Sequence, residues 1–160
     1  MKGVVLIMEI VTKLFGTVGV DDSKVIAFDM GMIGFPDLKK YLLIHDSDKE
    51  EGRISWLQSI EEPALAFPVI DPLSVKEDYN PVVEDELLKP IGDVKEGEIF
   101  VLCTVTVPSD ATKATANLKA PIVINTETRK ACQIIVDSDE YQIKYPIFDK
   151  LKEGKENAEC

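Results

Sequence analysis

Short apolar runs separated by polar, turn-prone residues recur along this chain at close intervals. The clearest run is Ile99–Val107, whose later part alternates between two sets of side chains with the period of two that is typical of a β-strand. Pro108 and Asp110 then mark a turn. Shorter runs predict further strands at Val25–Phe28, Tyr41–Ile44, Ala66–Ile70, Pro121–Asn125, Ala131–Val136 and Tyr141–Tyr145.

Helical patterns are weak by comparison. Pro36–Lys40 and Glu84–Leu88 each predict one or two turns, and Pro90 closes the second. Neither segment carries apolar residues at helical spacing over a normal helix length. About eight short strands with close turns therefore predict an all-β fold. We expect a compact β-barrel-like (or sandwich) single domain of short antiparallel strands with one or two short helical turns.

The predicted domain covers residues 1–150, and residues 151–160 form a polar tail that we expect to be frayed. Met1–Val11 predicts a strand rather than a signal peptide, because Glu9 interrupts its apolar stretch and no cleavage site follows. Leu73–Gly97 is the least regular segment and predicts a long acidic excursion on the surface. The sequence contains no candidate transmembrane segment.

The charge balance is strongly acidic. Eighteen Lys and Arg against 29 Asp and Glu give a net charge of −11 over 160 residues. Nucleic-acid affinity depends largely on cations that neutralise phosphates, so this composition disfavours direct nucleic-acid binding. It suits a basic protein partner, because opposite fields speed encounter. A charge that serves only solubility is an equally simple interpretation at this point.

The sequence contains no pattern that predicts catalytic, cofactor-binding or metal-binding residues. His45 is the only histidine, which excludes a His-rich metal site. Cys103 and Cys132 lie in apolar runs and are predicted to be buried thiols, whereas Cys160 ends the polar tail. Two of the 29 acids could still meet in a cleft as an acid and a base, but nothing singles out one pair.

Several short motifs occur in an order that resembles one known family. They are the glycine-phenylalanine stretch FDMGMIGFP from Phe28 to Pro36, WLQSIEEP from Trp56 to Pro63, and VIDP from Val69 to Pro72. A fourth is TANLKAPIVIN from Thr115 to Asn125. Each motif alone is weak, but the ordered set is specific and spans about Phe15 to Tyr145. The chain thereby resembles the bacterial flagellar assembly factor family FliW.

The resemblance implies a non-enzymatic protein that works in the cytoplasm without a cofactor. Members of this family bind newly made flagellin and bind the carbon storage regulator CsrA, a small RNA-binding protein. In this way they antagonise CsrA's repression of flagellin mRNA translation. The expected partners are therefore flagellin and CsrA, with no direct nucleic acid and no membrane. Two alternatives stay open: a small acidic hydrolase using paired carboxylates, and a chaperone that binds flagellin alone.

Candidate functional residues fall into two groups. The predicted partner-binding residues lie mostly in the acidic excursion, with Tyr79 as a possible interface anchor: Glu77, Asp78, Tyr79, Glu84, Asp85, Glu86 and, further along, Asn117. The family-motif residues are predicted to be mainly structural, as turn formers, strand ends and core: Gly31, Gly34, Phe35, Gln58, Ser59, Pro63, Asp71, Pro72, Leu118, Pro121 and Asn125. Asn117 is predicted equally as a loop cap and as a binding amide.

Overall fold

The computed structural model describes residues 8–45, 54–92 and 97–151, and these residues fold mainly into β-strands. Seven strands form a closed barrel in which β7 pairs with both β6 and β9. The strands of the described residues are β1 (Met8–Thr12), β2 (Gly16–Val20), β3 (Ile26–Phe28), β4 (Lys40–His45), β5 (Ile54–Ser59), β6 (Ala66–Ile70), β7 (Ile99–Thr106), β8 (Thr115–Ala116), β9 (Ile122–Asn125), β10 (Lys130–Gln133) and β11 (Tyr145–Pro146).

The barrel runs in the order β7-β6-β5-β4-β3-β10-β9 and returns to β7. The all-β, barrel-like prediction is therefore confirmed. One pairing departs from the antiparallel expectation, because β3 and β10 run parallel, with Ala131 opposite Phe28. These strands are far apart in sequence, so no hairpin turn constrains their relative direction. Full closure leaves the seven barrel strands without a free edge.

Alternation along the strands divides the apolar residues between the barrel interior and its outer surface. On β9, Ile122 and Ile124 face the interior and pack with Leu102 of β7, whereas Val123 faces outwards. The interior is completed by large side chains such as Phe28 and Tyr41, whose rings meet edge to face at 5.1 Å. The period of two in the sequence thus fills two apolar layers, one on each side of the barrel wall.

Outside the barrel, β1 and β2 form a separate hairpin, and β8 and β11 extend the sheet from β7. The hairpin rests on the barrel through Phe15, whose ring meets Trp56 at 5.9 Å. The predicted N-terminal strand is observed from Met8, and residues 1–7 lie outside the described part. Leu151 packs against the core, while residues 152–160 of the predicted tail also lie outside it.

The helical segments of the described residues are short 3₁₀ turns at Asp22–Lys24, Pro72–Ser74, Asp85–Ile91 and Ala111–Lys113. Residues 148–151, where the described part ends, are α-helical. The turn predicted at Glu84–Leu88 is observed as Asp85–Ile91, which continues through Pro90 and ends at Gly92. The helical turn predicted at Pro36–Lys40 is wrong. No helix lies between β3 and β4, and Lys40 already belongs to β4. Within residues 8–45, 54–92 and 97–151, no helix has the length and apolar character needed to cross a bilayer.

Burial of Cys103 and Tyr41 predicts a loss of stability at alkaline pH. Burial raises the pKa of the Cys103 thiol from 9.0 to about 12, and burial together with the nearby Glu61 charge raises the pKa of Tyr41 from 10.0 to about 12. The unfolded chain then releases protons before the folded one, so stability is complete below about pH 9 and falls as the pH rises towards 12. We expect a fall of roughly 2–3 kcal/mol between pH 8 and 10.5.

Urea unfolding at the two pH values measures this difference. Cys103→Ala should remove a large part of the slope, because the ordinary pKa of a thiol is 9.0 and that of a tyrosine is 10.0, so the thiol contributes over more of this pH range. An unfolding free energy that stays constant between pH 8 and 10.5 in the wild type would contradict the assignment.

Candidate protein-binding surface

The segment at residues 71–92, called the arm here, crosses the outer surface of the barrel. It begins with Asp71, whose carboxylate accepts a hydrogen bond from the Leu73 amide at 2.9 Å and caps the first 3₁₀ turn. Val75 then packs into the outer apolar cluster against β7. At the other end, Ile91 is fully buried against Val123 of β9 and its neighbours on β10. The arm is thus anchored by apolar contacts at both ends.

Tyr79 holds the middle of the arm. Its hydroxyl donates to the Leu118 carbonyl at 2.8 Å, and its ring meets Tyr141 edge to face at 4.8 Å. The Tyr141 hydroxyl in turn accepts from the Asn80 amide at 3.1 Å. Burial raises the pKa of the Tyr79 hydroxyl, which keeps it protonated as a donor. The sequence predicted Tyr79 as an interface anchor; in the structure it is a buried residue that fixes the arm and lines the groove described below.

Asn125 ties the far end of the arm to the barrel. Its side chain is completely buried, and its amide nitrogen donates to the Ile91 carbonyl at 2.9 Å. Its amide oxygen accepts from the backbone amides of Glu127 and Thr128 at 3.0 and 3.2 Å, which closes the turn between β9 and β10. The predicted structural role of Asn125 follows from these contacts: it joins the arm and a barrel hairpin.

An apolar groove lies between the arm and the outer surface of the barrel. Its volume is about 350 Å³, within the range of small-ligand and side-chain pockets. Among the described lining residues, Asp71 is the one ionisable group apart from Tyr79, and the others are apolar residues and Asn80. The lining residues are Asp71, Pro72, Leu73, Tyr79, Asn80, Pro81, Val83, Leu88, Ile99, Phe100, Val101, Pro121 and Val123.

The predicted acidic residues lie beside this groove. The arm carries six carboxylates against two lysines, and Glu84, Asp85 and Glu86 are exposed between the lining residues Val83 and Leu88. Glu77 and Asp78 are also exposed, but Asp78 forms an ion pair with Lys76 at 2.9 Å. The hydrogen bond from Lys76 lowers the pKa of Asp78. The structure therefore places an apolar groove and a negative rim on one segment.

The motif around Asn117 builds one wall of this region. The Asn117 amide oxygen accepts from the backbone amides of Lys119 and Ala120 at 3.1 and 3.2 Å, so the side chain is a loop cap. Leu118 is fully buried, and Pro121 lines the groove while its carbonyl accepts from Ile134. The sequence predicted Asn117 equally as a loop cap and as a binding amide, and these contacts are those of a loop cap.

A second motif closes the turn between β5 and β6. The buried Gln58 amide nitrogen lies 2.9–3.1 Å from the carbonyls of Ser59, Pro63 and Leu65, and its two N–H groups are shared among these three acceptors. The Ser59 hydroxyl accepts from the Glu62 amide at 2.9 Å. These side chains satisfy backbone groups of the turn, as the sequence predicted. Pro72, another proline that was predicted to be structural, is buried next to the capping residue Asp71.

The loop between β3 and β4 displays apolar side chains that the sequence patterns did not single out. Met30 and Ile33 are 74% and 53% exposed, and Phe35 is 39% exposed although it was predicted to be core. Phe35 stacks edge to face on Phe67 at 5.3 Å, which leaves one side of its ring free. Residues 30–35 are called the apolar loop below. Gly31 and Gly34 within this loop were the sequence signal for turns with unusual backbone angles.

Both glycines of the loop adopt positive φ. Gly34 has φ +90° in a tight turn that the Phe35 amide closes on the Met32 carbonyl at 2.8 Å. Gly31 has φ +66°, and a Cβ there would lie 2.5 Å from the Phe35 carbonyl oxygen. The structural prediction for Gly31 and Gly34 is consistent with this geometry.

The closed barrel thus carries an apolar groove, an acidic arm and an apolar loop, which together form a candidate surface for protein binding. The sequence profile described as FliW protein matches residues 9–147. The chain is 54% identical over 147 residues to the flagellar assembly factor FliW of Lachnospira eligens, with 91% of this chain and 97% of the relative covered. It is 47% identical over 156 residues to FliW of Lachnoclostridium phytofermentans, with 96% and 100% covered.

A solved structure agrees with the sequence comparison. The crystal structure of a flagellar assembly factor FliW superposes with a TM-score of 0.80 at 30% identity, covering 88% of this chain and 97% of that chain. The chain therefore belongs to the FliW family of flagellar assembly factors. This family is named for an assembly role rather than for a catalysed reaction.

Proposed function

We propose that this protein acts in the cytoplasm by binding flagellin and by binding CsrA, and that it thereby antagonises repression of flagellin mRNA translation. Membership of the FliW family supports the assembly role. The observation that carries the binding mode is the apolar groove beside Glu84, Asp85 and Glu86. An apolar floor with a negative rim suits a basic protein that inserts an apolar anchor.

The electrostatics favour CsrA as the partner at the arm. A protein that binds RNA presents a basic surface to phosphates, and the net charge of −11 opposes those phosphates when this chain docks nearby. Antagonism then has an electrostatic component that does not require the RNA surface to be covered. The Debye length is about 8 Å at physiological ionic strength, so affinity for CsrA should fall as salt is added.

The two alternative functions left open by the sequence, a paired-carboxylate hydrolase and a chaperone that binds flagellin alone, receive less support. A hydrolase using paired carboxylates needs an acid whose pKa is raised. The carboxyl groups of Asp21, Asp78 and Asp110 instead have lowered pKa values, mainly because each accepts hydrogen bonds. A chaperone that binds flagellin alone leaves the acidic rim without a role. Separate titrations with CsrA and flagellin distinguish this alternative from the proposal.

The direct test is a calorimetric titration of this protein with CsrA from the same organism, followed by addition of monomeric flagellin. We expect saturable CsrA binding that weakens with salt and that flagellin displaces. Affinity that is constant between low and physiological ionic strength would refute the electrostatic component. An absence of binding to either partner would refute the proposed function.

Neutralising the rim should weaken CsrA binding selectively. The triple variant Glu84→Gln, Asp85→Asn, Glu86→Gln removes three exposed charges beside the groove without removing an apolar lining residue. We expect roughly a tenfold loss of CsrA affinity at low salt, because each charge contributes about 0.5 kcal/mol at such exposure.

A matched control separates local from global charge. The variant Glu9→Gln, Asp22→Asn, Asp149→Asn removes the same number of exposed carboxylates outside the arm. It should bind CsrA almost as tightly as the wild type. Equal losses in both variants would show that the overall charge, and not the rim, determines affinity.

A further inference from the structure

Asp71 lines the groove with a carboxylate that is only partly used by the protein itself. One of its oxygens accepts the hydrogen bond from the Leu73 amide at 2.9 Å and caps the 3₁₀ turn. No other hydrogen bond or ion pair of this carboxylate occurs among the described residues. A carboxylate offers about four acceptor positions, so Asp71 has acceptor capacity left for a cation in the groove.

Apolar side chains of the same groove remain exposed. Leu73 on the arm is 53% exposed and Ile99 on β7 is 39% exposed, and both line the groove. Grouped exposed apolar side chains usually mark interaction sites. The arm is held in place by the bond from the Tyr79 hydroxyl to the Leu118 carbonyl. Because the groove is formed before anything enters it, little conformational entropy is lost when it is filled.

The charge around the groove stays negative when the neighbouring lysines are counted. The arm carries six carboxylates and two lysines, and one of these lysines, Lys76, is already in an ion pair within the arm. The charged residues next in sequence to the lining residues of the barrel are Glu98 and Lys119, which offset each other. By sequence, residues 93–96, outside the described part, add two acids and one lysine. A cation that enters the groove is therefore attracted, whereas an anion is repelled.

We propose that the groove takes one aliphatic side chain of a basic protein, and that Asp71 pairs with a lysine or arginine within two residues of that side chain. In an extended segment, side chains two residues apart face the same side, so both can enter one groove. The inference rests on the function proposed above for the identity of the partner. It adds that Asp71 has two roles, since the carboxylate that caps the turn also binds the partner's cation.

Short peptides test this chemistry independently of CsrA. The probe is acetyl-Gly-Lys-Ser-Leu-Gly-amide, titrated into the isotope-labelled full chain and followed by NMR. The amide resonance of Leu73 reports on Asp71, because this amide donates to the Asp71 carboxylate. We expect a saturable shift of this resonance. Replacing the leucine of the probe with glycine, or its lysine with glutamine, should weaken binding roughly threefold or more in each case, because each change removes one of the two contacts.

Asp71→Asn separates the charge of this residue from its role as a cap. An asparagine side chain also caps turns through its oxygen, so the bond from the Leu73 amide is kept while the charge is lost. The probe and, in calorimetry, CsrA should bind roughly three- to fivefold more weakly at low salt, as expected for one exposed ion pair. The matched control is Asp110→Asn, because Asp110 caps another 3₁₀ turn, accepts from the Thr112 amide at 3.0 Å and does not line the groove. It should bind like the wild type, and Asp71→Ser, which keeps a capping oxygen, is the second variant if Asp71→Asn unfolds.

Three outcomes overturn the inference. The first is probe binding of wild-type strength in the Asp71 variants, and the second is a probe that binds equally well without its leucine. The third is an equal loss in Asp71→Asn and Asp110→Asn, which shows that net charge and not Asp71 attracts the cation. Failure of the proposed function gives a different result. Probe binding that depends on Asp71, together with no binding of CsrA to the wild type, supports the groove assignment and refutes CsrA as the partner.

Discussion

Replacing Asn125 with alanine is expected to lower the free energy of unfolding by roughly 3 kcal/mol. The side chain is fully buried, and its removal takes a 2.9 Å bond from the Ile91 carbonyl, which keeps only the 3.3 Å bond from the Thr128 hydroxyl. It also removes the side-chain acceptor of the Glu127 and Thr128 amides and leaves an empty space in the buried site. Each buried group that loses its partner carries a desolvation penalty. Thermal unfolding should show a decrease in Tm of roughly 6–12 °C.

Asn117→Ala is the matched control for this variant. Asn117 also bonds two backbone amides, but it is only half-buried, so water can replace the lost contacts. We expect a loss of about 1 kcal/mol. If the two variants were equally stable, burial would not be the reason that Asn125 matters. Because Asn125 holds Ile91 at the end of the arm, Asn125→Ala should also weaken the CsrA binding proposed above, through displacement of the rim.

Gly31→Ala is expected to destabilise the protein by about 3 kcal/mol or more. A Cβ at this position would lie 2.5 Å from the Phe35 carbonyl oxygen and 2.6 Å from the Pro36 Cα, and both are backbone atoms that cannot swing away. The positive φ of Gly31 adds a cost of about 1–2 kcal/mol for any residue with a Cβ. Urea unfolding with the linear extrapolation measures the total.

Gly34→Ala separates the cost of the steric clash from the cost of the positive φ. Gly34 also has positive φ, but a Cβ there meets nothing within 4 Å. Its substitution should therefore cost only the conformational penalty of about 1–2 kcal/mol. A Gly31→Ala variant no less stable than Gly34→Ala would mean that the loop relaxes at little cost and that the close approach of the Phe35 carbonyl does not constrain it.

The all-β fold was accessible from the sequence because strand signals are local. The alternation in Ile99–Val107 appears as β7, and the runs at Val25–Phe28 and Tyr41–Ile44 appear within β3 and β4. Barrel closure could not be predicted from such local signals. The parallel pairing of β3 with β10 joins segments about 100 residues apart, and nothing in either short run specifies the direction of its partner.

The structural motifs were also largely predictable. Gln58 and Ser59 bond the backbone of the following turn, and Gly34 takes the positive φ that a tight turn needs. In each case the residue type itself limits the local geometry. The side chains act within a few residues of their own position, so a single sequence contains enough information.

The burial of Tyr79 and the exposure of Ile33 could not be predicted from the local sequence. Tyr79 lies in an acidic surface segment, yet it is buried because its hydroxyl reaches the Leu118 carbonyl 39 residues away. Ile33 is apolar, yet it is exposed because Gly31, Gly34 and Gln133 shape a turn that projects from the barrel. Local pattern determined the strands, turns and charge of this protein. Burial and exposure depend on which distant segments come together, so the groove, its position beside the acidic residues of the arm, and the exposure of the apolar loop emerged only from the folded chain.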